Sequence, residues 1–458
     1  MKGIKTMTSY NLPNNILQTV TTFQRGGMAY LQNYGCFIGE LTNKKFKDFQ
    51  KIQDNLGSTI SWDLPPKAIA VNGLQAVFQG MTQRPATLSV TQSSNASFAF
   101  NATQLIYNVG KDADPYREVF GKSALAALGN KIETNLALHC ASAAVYGTEN
   151  PNITPGTPIY KSGPYRFGLN GVTPLTSYQQ LQQMMSDFVE PGAVTGDFRI
   201  VLPNTITPPI IGTGLNQFAP RRNDEIAMSW ELGEFGSPQA KYYISNLLPT
   251  HISGNVGNAA AGGNVLTVVS TNDPTGTSIT QITFSGASAT DPDAIKAGDR
   301  FQFIPVSGTP GPRITTFFGD HVTNQPVQFR AIADAASNGG GQVTVNIYPA
   351  LSVNALGNFA QDTEWMDKNV VAGMKALVPP SHRVGVILSD NCFFMAMPLL
   401  PPQPPFDTSS SVMDDTTGAS LRLTIGSQYG GNLYGWIYDA VWDALMVPEY
   451  CYAILLPL

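Results

Sequence analysis

Apolar side chains recur at spacings of three and four through Asp114–Gly147, the longest stretch of the chain that keeps one helical period. Leu125, Leu128, Ile132, Leu136, Cys140 and Ala143 share one face of a helix at that spacing. Asp114 is placed to cap the first turn, and Pro115 suits the first helical position, where a missing N–H costs nothing. Gly147 offers the stop. Such a helix would be roughly 48 Å long, more than a small globular core needs. Gly129-Asn130 is its weak point. A shorter amphipathic helix is predicted over Ser177–Val189, with Leu181, Met184, Met185 and Phe188 on one side.

Ahead of the long helix the period changes to two. Leu88 and Val90 alternate with polar residues, Gln92–Asn95 reads as a turn, and Phe98, Phe100 and Ala102 alternate again. The pattern predicts a long hairpin within Ser58–Asn108 with little apolar bulk on one side. A hairpin of that kind is marginal alone in water and has to rest on something else. Short helices are expected at Asn15–Thr21 and Lys44–Leu56, and a buried strand at Phe198–Leu202. Gly254–Pro349 is rich in Thr, Val, Gly, Ser and Ala, with strand candidates at Asn264–Ser270, Ser278–Phe284, Arg300–Ile304, Val327–Ile332 and Gln342–Ile347. Short strands separated by turn residues at this spacing predict a small sandwich or barrel. Beyond Pro349 the chain returns to the mixed character it has before Gly254, so this segment reads as an insertion able to fold alone, with Pro305–Gln325 as a long projecting loop. Further strands are predicted at His382–Leu388, Cys392–Leu399 and Leu421–Ser427, and an apolar closing strand at Tyr450–Leu456. Between the last two, Tyr434, Trp436, Tyr438, Val441 and Leu445 form a mixed aromatic and aliphatic run to which no element is assigned.

Composition changes this picture in one respect. Of 458 residues only 13% are charged while 43% are hydrophobic, a poor balance for a solvent-exposed monomer. Much of the surface is therefore expected to be covered by other subunits. Lys+Arg 27 against Asp+Glu 32 leaves a net charge of −5, which gives no electrostatic footprint for clamping nucleic acid. No apolar run reaches the length of a membrane span, and the first residues lack the apolar core of a signal peptide. Cys36, Cys140, Cys392 and Cys451 are widely spaced among apolar neighbours, as reduced buried thiols would be. His139, on the long helix, reads as a packed or interface histidine. The sequence holds no phosphate loop, dinucleotide fingerprint or zinc-protease motif. Asp291/Asp293 and Asp414/Asp415 are carboxylate pairs in turn-forming surroundings, where acids without a pocket do not make an active site. No catalytic residue, cofactor or metal is expected.

The order of elements resembles the major capsid proteins of tailed double-stranded-DNA bacteriophages, and among them the coat proteins of short-tailed phages that carry an inserted β domain. Several stretches carry the resemblance: the helix run GNKIETNLALHCASAA from Gly129, with its Asn-x-x-Glu start; Ile295–Phe303, with a Gly-Asp lead into a strand; Phe329–Ala350, like a closing hairpin; and Leu421–Leu458, where Tyr429-Gly430 leads through Pro448-Glu449 into an apolar strand. The insertion NLYGWIYDAVWDALMV departs from that pattern.

The resemblance implies an α+β chain of the Hong Kong-97 type, built from an N-arm, extended β-hairpin, long spine helix, and peripheral and axial domains. The boundaries would be an N-terminal arm over 1–57, the hairpin loop over 58–112 and spine helix with mixed core over 113–252. The inserted β-barrel-like domain would occupy 253–351 and the rest of the core 352–458. It further implies a non-enzymatic subunit of an icosahedral shell, assembled in the host bacterial cytoplasm from many copies with a scaffolding protein and a portal. The shell would enclose double-stranded DNA without specific binding. Candidate inter-subunit contacts are Lys67 in the hairpin region and Arg313, Asp320 and His321 in the insertion loop. Two other readings stay open: a cellular nanocompartment shell on the same fold, and a β-rich tail or adhesin protein.

Overall fold

The computed structural model describes residues 36–44, 59–65, 84–101, 114–141, 163–192, 197–206, 240–259, 264–306, 311–317, 321–353, 363–401, 408–413, 419–427 and 433–458. The described part is β-rich with few helices. The chain divides into two compact units. One takes Met1–Ile60, Leu88–Glu133 and Met395–Ala444; the other takes Ser61–Thr87, Thr134–Phe394 and Leu445–Leu458. The long helix, α1 (Asp114–Ala141), runs through the boundary at Glu133. Its 28 residues make it about 42 Å long. Leu125, Leu128, Ile132, Leu136 and Cys140 are all buried, as their spacing predicts. Ala143 and the stop at Gly147 lie outside the described residues.

In the first unit a sheet is organised on Leu433–Met446. That strand pairs antiparallel with Gln92–Asn101 on one side and Ser420–Ser427 on the other, and Thr408–Met413 follows beyond Ser420–Ser427. Trp436, Tyr438, Ala440, Trp442 and Ala444 alternate inward and are buried, the period-two signature of a half-buried strand. Phe98 stacks on Trp436 across the ladder, with centroids 5.9 Å apart, and its ring also meets Phe120 of α1 at 6.2 Å. A side chain at Gly121 would bring its Cβ within 3.1 Å of the Tyr438 hydroxyl, so glycine sets how closely α1 approaches this strand.

The predicted hairpin is not what the structure builds. Gln92–Asn95 is not a turn but the start of a ten-residue strand, and the bend falls at Val90-Thr91. Arg84–Ser89 instead pairs with Thr59–Leu64 in a separate two-stranded sheet. Gln92–Asn101 finds aromatic cross-strand partners in Leu433–Met446, which Leu88 and Val90 cannot supply. Asp443 fixes the bend: its carboxylate accepts from the Thr91 N–H (3.1 Å) and hydroxyl (2.7 Å). The proposed helices at Asn15–Thr21 and, beyond Lys44, at Lys44–Leu56 lie outside the described residues; Asn43–Lys44 itself is strand.

The second unit holds a sheet and a barrel. The sheet runs Phe167–Gly168, Cys451–Pro457, His382–Ser389, Phe198–Leu202, Ala240–Ile244, with Thr250–His251 also on His382–Ser389. The apolar closing strand is thus tied in register along His382–Leu388. α2 (Tyr178–Val189) begins with a capping box, in which the Gln180 side chain accepts from the Ser177 N–H at 3.2 Å and the Gln180 N–H donates to the Ser177 hydroxyl at 3.4 Å. Its Leu181, Met184, Met185 and Phe188 are buried as predicted, with Phe188 against Phe198 and Tyr452 at 5.9 and 5.7 Å.

In the barrel, Val265–Thr271, Ile279–Ser285, Gln342–Val353, Gln328–Ala331, Arg300–Ile304 and Lys375–Leu377 each pair antiparallel with the next, and the last returns to the first. Closure leaves the ring without a bare edge. Its interior is filled by Leu266, Val268, Ile282, Val343, Val345 and Ala376 around a run of aromatics. Phe301 stacks on Phe329 at 5.0 Å and on Phe284 at 5.6 Å. The ring continues past the expected boundary at Leu351, since Lys375–Leu377 is one of its staves. The segment expected to project as a loop also carries structure: Arg313–Thr315 and Val322–Pro326 pair with each other, and Arg313–Thr315 adds to Thr363–Met366.

Candidate functional site

The Arg313–Pro326 segment is the contact region the sequence favours most. Ile314 and Thr315 are apolar or small enough to be buried, so Arg313 and His321 are left on the outside. The register sets Arg313 opposite Pro326 and Thr315 opposite Val322. The Thr316 N–H donates to the His321 carbonyl at 2.9 Å, so Arg313 and His321 stand about 10 Å apart along the strand direction. They form no cluster. Asp320 and Lys67 lie outside the described residues.

This segment is fastened at both ends. The Arg313 N–H donates to Asp367 at 2.7 Å and the Asp367 N–H returns to the Arg313 carbonyl at 3.1 Å. The Asn324 N–H donates to Glu190, and the Gln325 amide to Asp187 and Glu190, all at 2.9 Å. Phe317 N–H donates to the Pro191 carbonyl at 2.7 Å. Acceptors at the C-terminal end of α2 therefore hold the strand that follows His321.

Sequence reasoning missed a buried polar cluster where the barrel meets the sheet of its own unit. Asp299, fully buried, lies 2.8 Å from His251 Nε2 and accepts from the backbone N–H groups of Lys296 (2.8 Å) and Gly254 (3.1 Å). His382 Nδ1 sits 2.6 Å from the Pro380 carbonyl, which requires its proton there and leaves Nε2 to accept from Arg300 at 3.3 Å. Arg300 also donates toward the Pro164 carbonyl at 3.3 Å and faces Arg330 across the ladder. Burial pushes the Arg300 guanidinium down to about 9, with Arg330 the next cause, and burial pushes Arg330 to about 10. Burial, then the charges of His251 and Arg300, hold His382 well below the usual imidazole range. All of these side chains are buried, and Asp299 and His382 tie down backbone at Lys296, Gly254 and Pro380. The one signal in the sequence is the Gly298-Asp299 lead into Arg300–Ile304.

Cys140, Cys392 and Cys451 are buried thiols and Cys36 is half-buried; none is in a disulfide. The fold draws together residues the sequence scatters: burial, then the Cys451 thiol, pushes the Cys392 thiol well up, and both donate to the Val447 carbonyl. His139 is buried with its ring 5.7 Å from Phe393. Asp291 serves its turn, accepting from Asn255 and from the Asp293 N–H at 3.0 Å; Asp414 and Asp415 lie outside the described residues. A cavity of about 20 Å³ lined by Tyr165, Arg166, Thr315, Glu364 and Glu449 has room for about one water. Among the described residues no group of three or more His, Cys, Asp or Glu side chains could hold a metal ion, and no helix is long and apolar enough to cross a membrane.

No protein-family profile matches the chain, and no curated protein matches it. Solved structures do. The chain is similar to a structure from Mycobacterium phage Che8 at 9% identity and a TM-score of 0.39, over 91% of this chain and 90% of that one. It is similar to the capsid of Ralstonia phage GP4 at 7% identity and a TM-score of 0.41, over 92% and 88%. A virus-like particle from Pyrococcus furiosus aligns at 7% identity and a TM-score of 0.30, over 87% and 86%. Superpositions this loose carry no argument about what this chain does.

Proposed function

We propose that the chain is a structural subunit, the major capsid protein of a tailed double-stranded-DNA phage, and that many copies tile an icosahedral shell around the genome. The observation that carries this reading is the interrupted sheet. Phe198–Leu202, Ala240–Ile244 and Thr250–His251 precede the barrel in sequence, while His382–Ser389 and Cys451–Pro457 follow it, and all five lie in one sheet. A small closed barrel set into a sheet that follows a long helix is the arrangement expected of a coat subunit with an inserted β domain. The low charged fraction supports it, because subunit flanks buried against neighbours need few charges. A net charge of −5 suits a wall that should not hold packaged DNA tightly. A scaffolding protein and a portal belong to this reading as assembly partners, and no chemistry is assigned to the subunit.

Electron microscopy of the expressed chain, alone and with neighbouring phage proteins, tests it. Closed megadalton shells are expected; a monomer or trimer under all conditions would overturn the proposal in favour of a tail or adhesin protein. Nucleic acid inside native particles separates a genome container from a nanocompartment.

Arg313 and His321 are proposed as contacts to a neighbouring subunit. The Arg313→Glu variant should melt within about 0.5 kcal/mol of wild type, since exposed charges contribute little individually. Particle yield should fall, because the same weak contact recurs around the shell. Normal yield would remove Arg313 from the interface.

A further inference from the structure

We propose that the small cavity lined by Arg166 and Thr315 is a built site for one ordered water molecule, which ties Arg313–Thr315 to the segment entering Phe167–Gly168. Every residue that lines it belongs to the second unit. Two contacts fix the Arg166 guanidinium: Nη2 donates to the Glu449 carbonyl at 3.1 Å, and the group lies 5.4 Å from the centre of the Phe188 ring. Its Nε–H is left over. Nε is buried and meets no hydrogen-bond partner among the described residues, and the same holds for the Thr315 hydroxyl. Both residues are only 4% exposed. Two buried polar groups at one cavity need a partner that the protein itself does not supply.

The size and the mixed chemistry of the lining select the occupant. A volume of about 20 Å³ admits a water and no organic molecule. A metal cation would meet the Arg166 guanidinium, and among the described residues no group of three or more His, Cys, Asp or Glu side chains could hold one. An anion would meet the carboxyl groups of Glu364 and Glu449, which also line the cavity. Glu364 is already engaged on one side. It accepts from the Tyr165 hydroxyl, which burial and then the Glu364 charge hold well above its usual range and so keep protonated. Water alone can accept from the Arg166 Nε–H and donate to both the Thr315 oxygen and a carboxyl oxygen. That makes about three bonds, the usual number for a buried water. Thr315 lies two residues past Arg313, so the water holds the strand that carries Arg313, as the end of α2 holds Val322–Pro326.

The site does not depend on shell formation, so the unassembled full-length chain tests it. The Arg166 Nε–H proton should show a nuclear Overhauser peak to water opposite in sign to its rotating-frame peak, as a long-held water gives and exchange or mobile hydration does not. Oxygen-17 relaxation dispersion should count about one long-lived water fewer in Thr315→Val, which keeps the shape of the side chain and puts a methyl group in place of the hydroxyl. Thr315→Ser should keep the wild-type count. Should the valine variant fail to fold, the wild-type peaks at Arg166 decide. Their absence in wild type overturns the site, as does a valine variant with the wild-type water count.

Discussion

Replacing Asp299 with alanine is expected to destabilise the second unit by about 3–5 kcal/mol, as removal of one partner from a buried charged network does. Its two carboxylate oxygens serve three donors: His251 Nε2 at 2.8 Å, the Lys296 N–H at 2.8 Å and the Gly254 N–H at 3.1 Å. The His251 and Gly254 donors are buried, so each loses its acceptor with none to replace it, while the Lys296 N–H is only part-buried. The loss does not stay local. Asp299 also contributes negative charge that favours the Arg300 guanidinium, which is already disfavoured by burial and by Arg330. The Asp299 carbonyl accepts from the Ala331 N–H at 2.8 Å, so the loop it shapes leads straight into two staves of the barrel. Gly298 precedes it at φ 89°, a conformation that fits the sharp lead into the strand and that few side chains adopt. Asp299→Asn keeps shape and one acceptor oxygen and should cost roughly half as much. Urea unfolding read at constant m-value checks the series. An alanine variant within about 0.5 kcal/mol of wild type would mean that water or a rearranged side chain replaces every bond.

The elements best read from sequence are those whose information is local. α2 announces itself through Ser177 and Gln180 and through four apolar residues on one side. The barrel strands alternate and are punctuated by turns, so the pattern places Arg300–Ile304 to the residue and three others within one position, while Gln342–Val353 runs six residues past its expected end and Lys375–Leu377 goes unread. Leu433–Met446 is illegible for the opposite reason. Its inward set, Trp436, Tyr438, Ala440, Trp442 and Ala444, mixes the largest and smallest side chains, and small alanines blur a period of two. Its partner, Gln92–Asn101, lies more than three hundred residues earlier. Nothing local can say that this strand, and not Arg84–Ser89, receives Phe98. The polar cluster is hidden likewise. Asp299 stands in a stretch that draws attention as pattern, yet burial and convergence with His251 and the Gly254 N–H give it its role.

The other large effect concerns where the barrel ends. A fragment Ser253–Leu351, the limits that composition suggests, should fail to fold cooperatively, while Ser253–Pro379 should give a folded, β-rich monomer. The difference is one short stave. Lys375–Leu377 lies between Val265–Thr271 and Arg300–Ile304 and pairs with both. The Val268 N–H donates to Met374 O at 2.8 Å, the Gly373 N–H returns to Val268 O at 2.9 Å, and the Val378 N–H reaches Asn264 O at 2.9 Å. Removing the stave opens the ring and gives two strands bare edges, which invite pairing with other chains. The core is opened as well. Met366, Val370, Met374, Ala376 and Val378 all belong to the cluster around Phe301 and Phe329, and each buried methionine or valine contributes about 1.5–3 kcal/mol. A domain whose whole margin is about 5–15 kcal/mol cannot lose that set and remain folded. Dispersed amide signals and a sharp melt from Ser253–Leu351 would show that the remaining five staves close without the sixth, and would put the domain's end at Leu351.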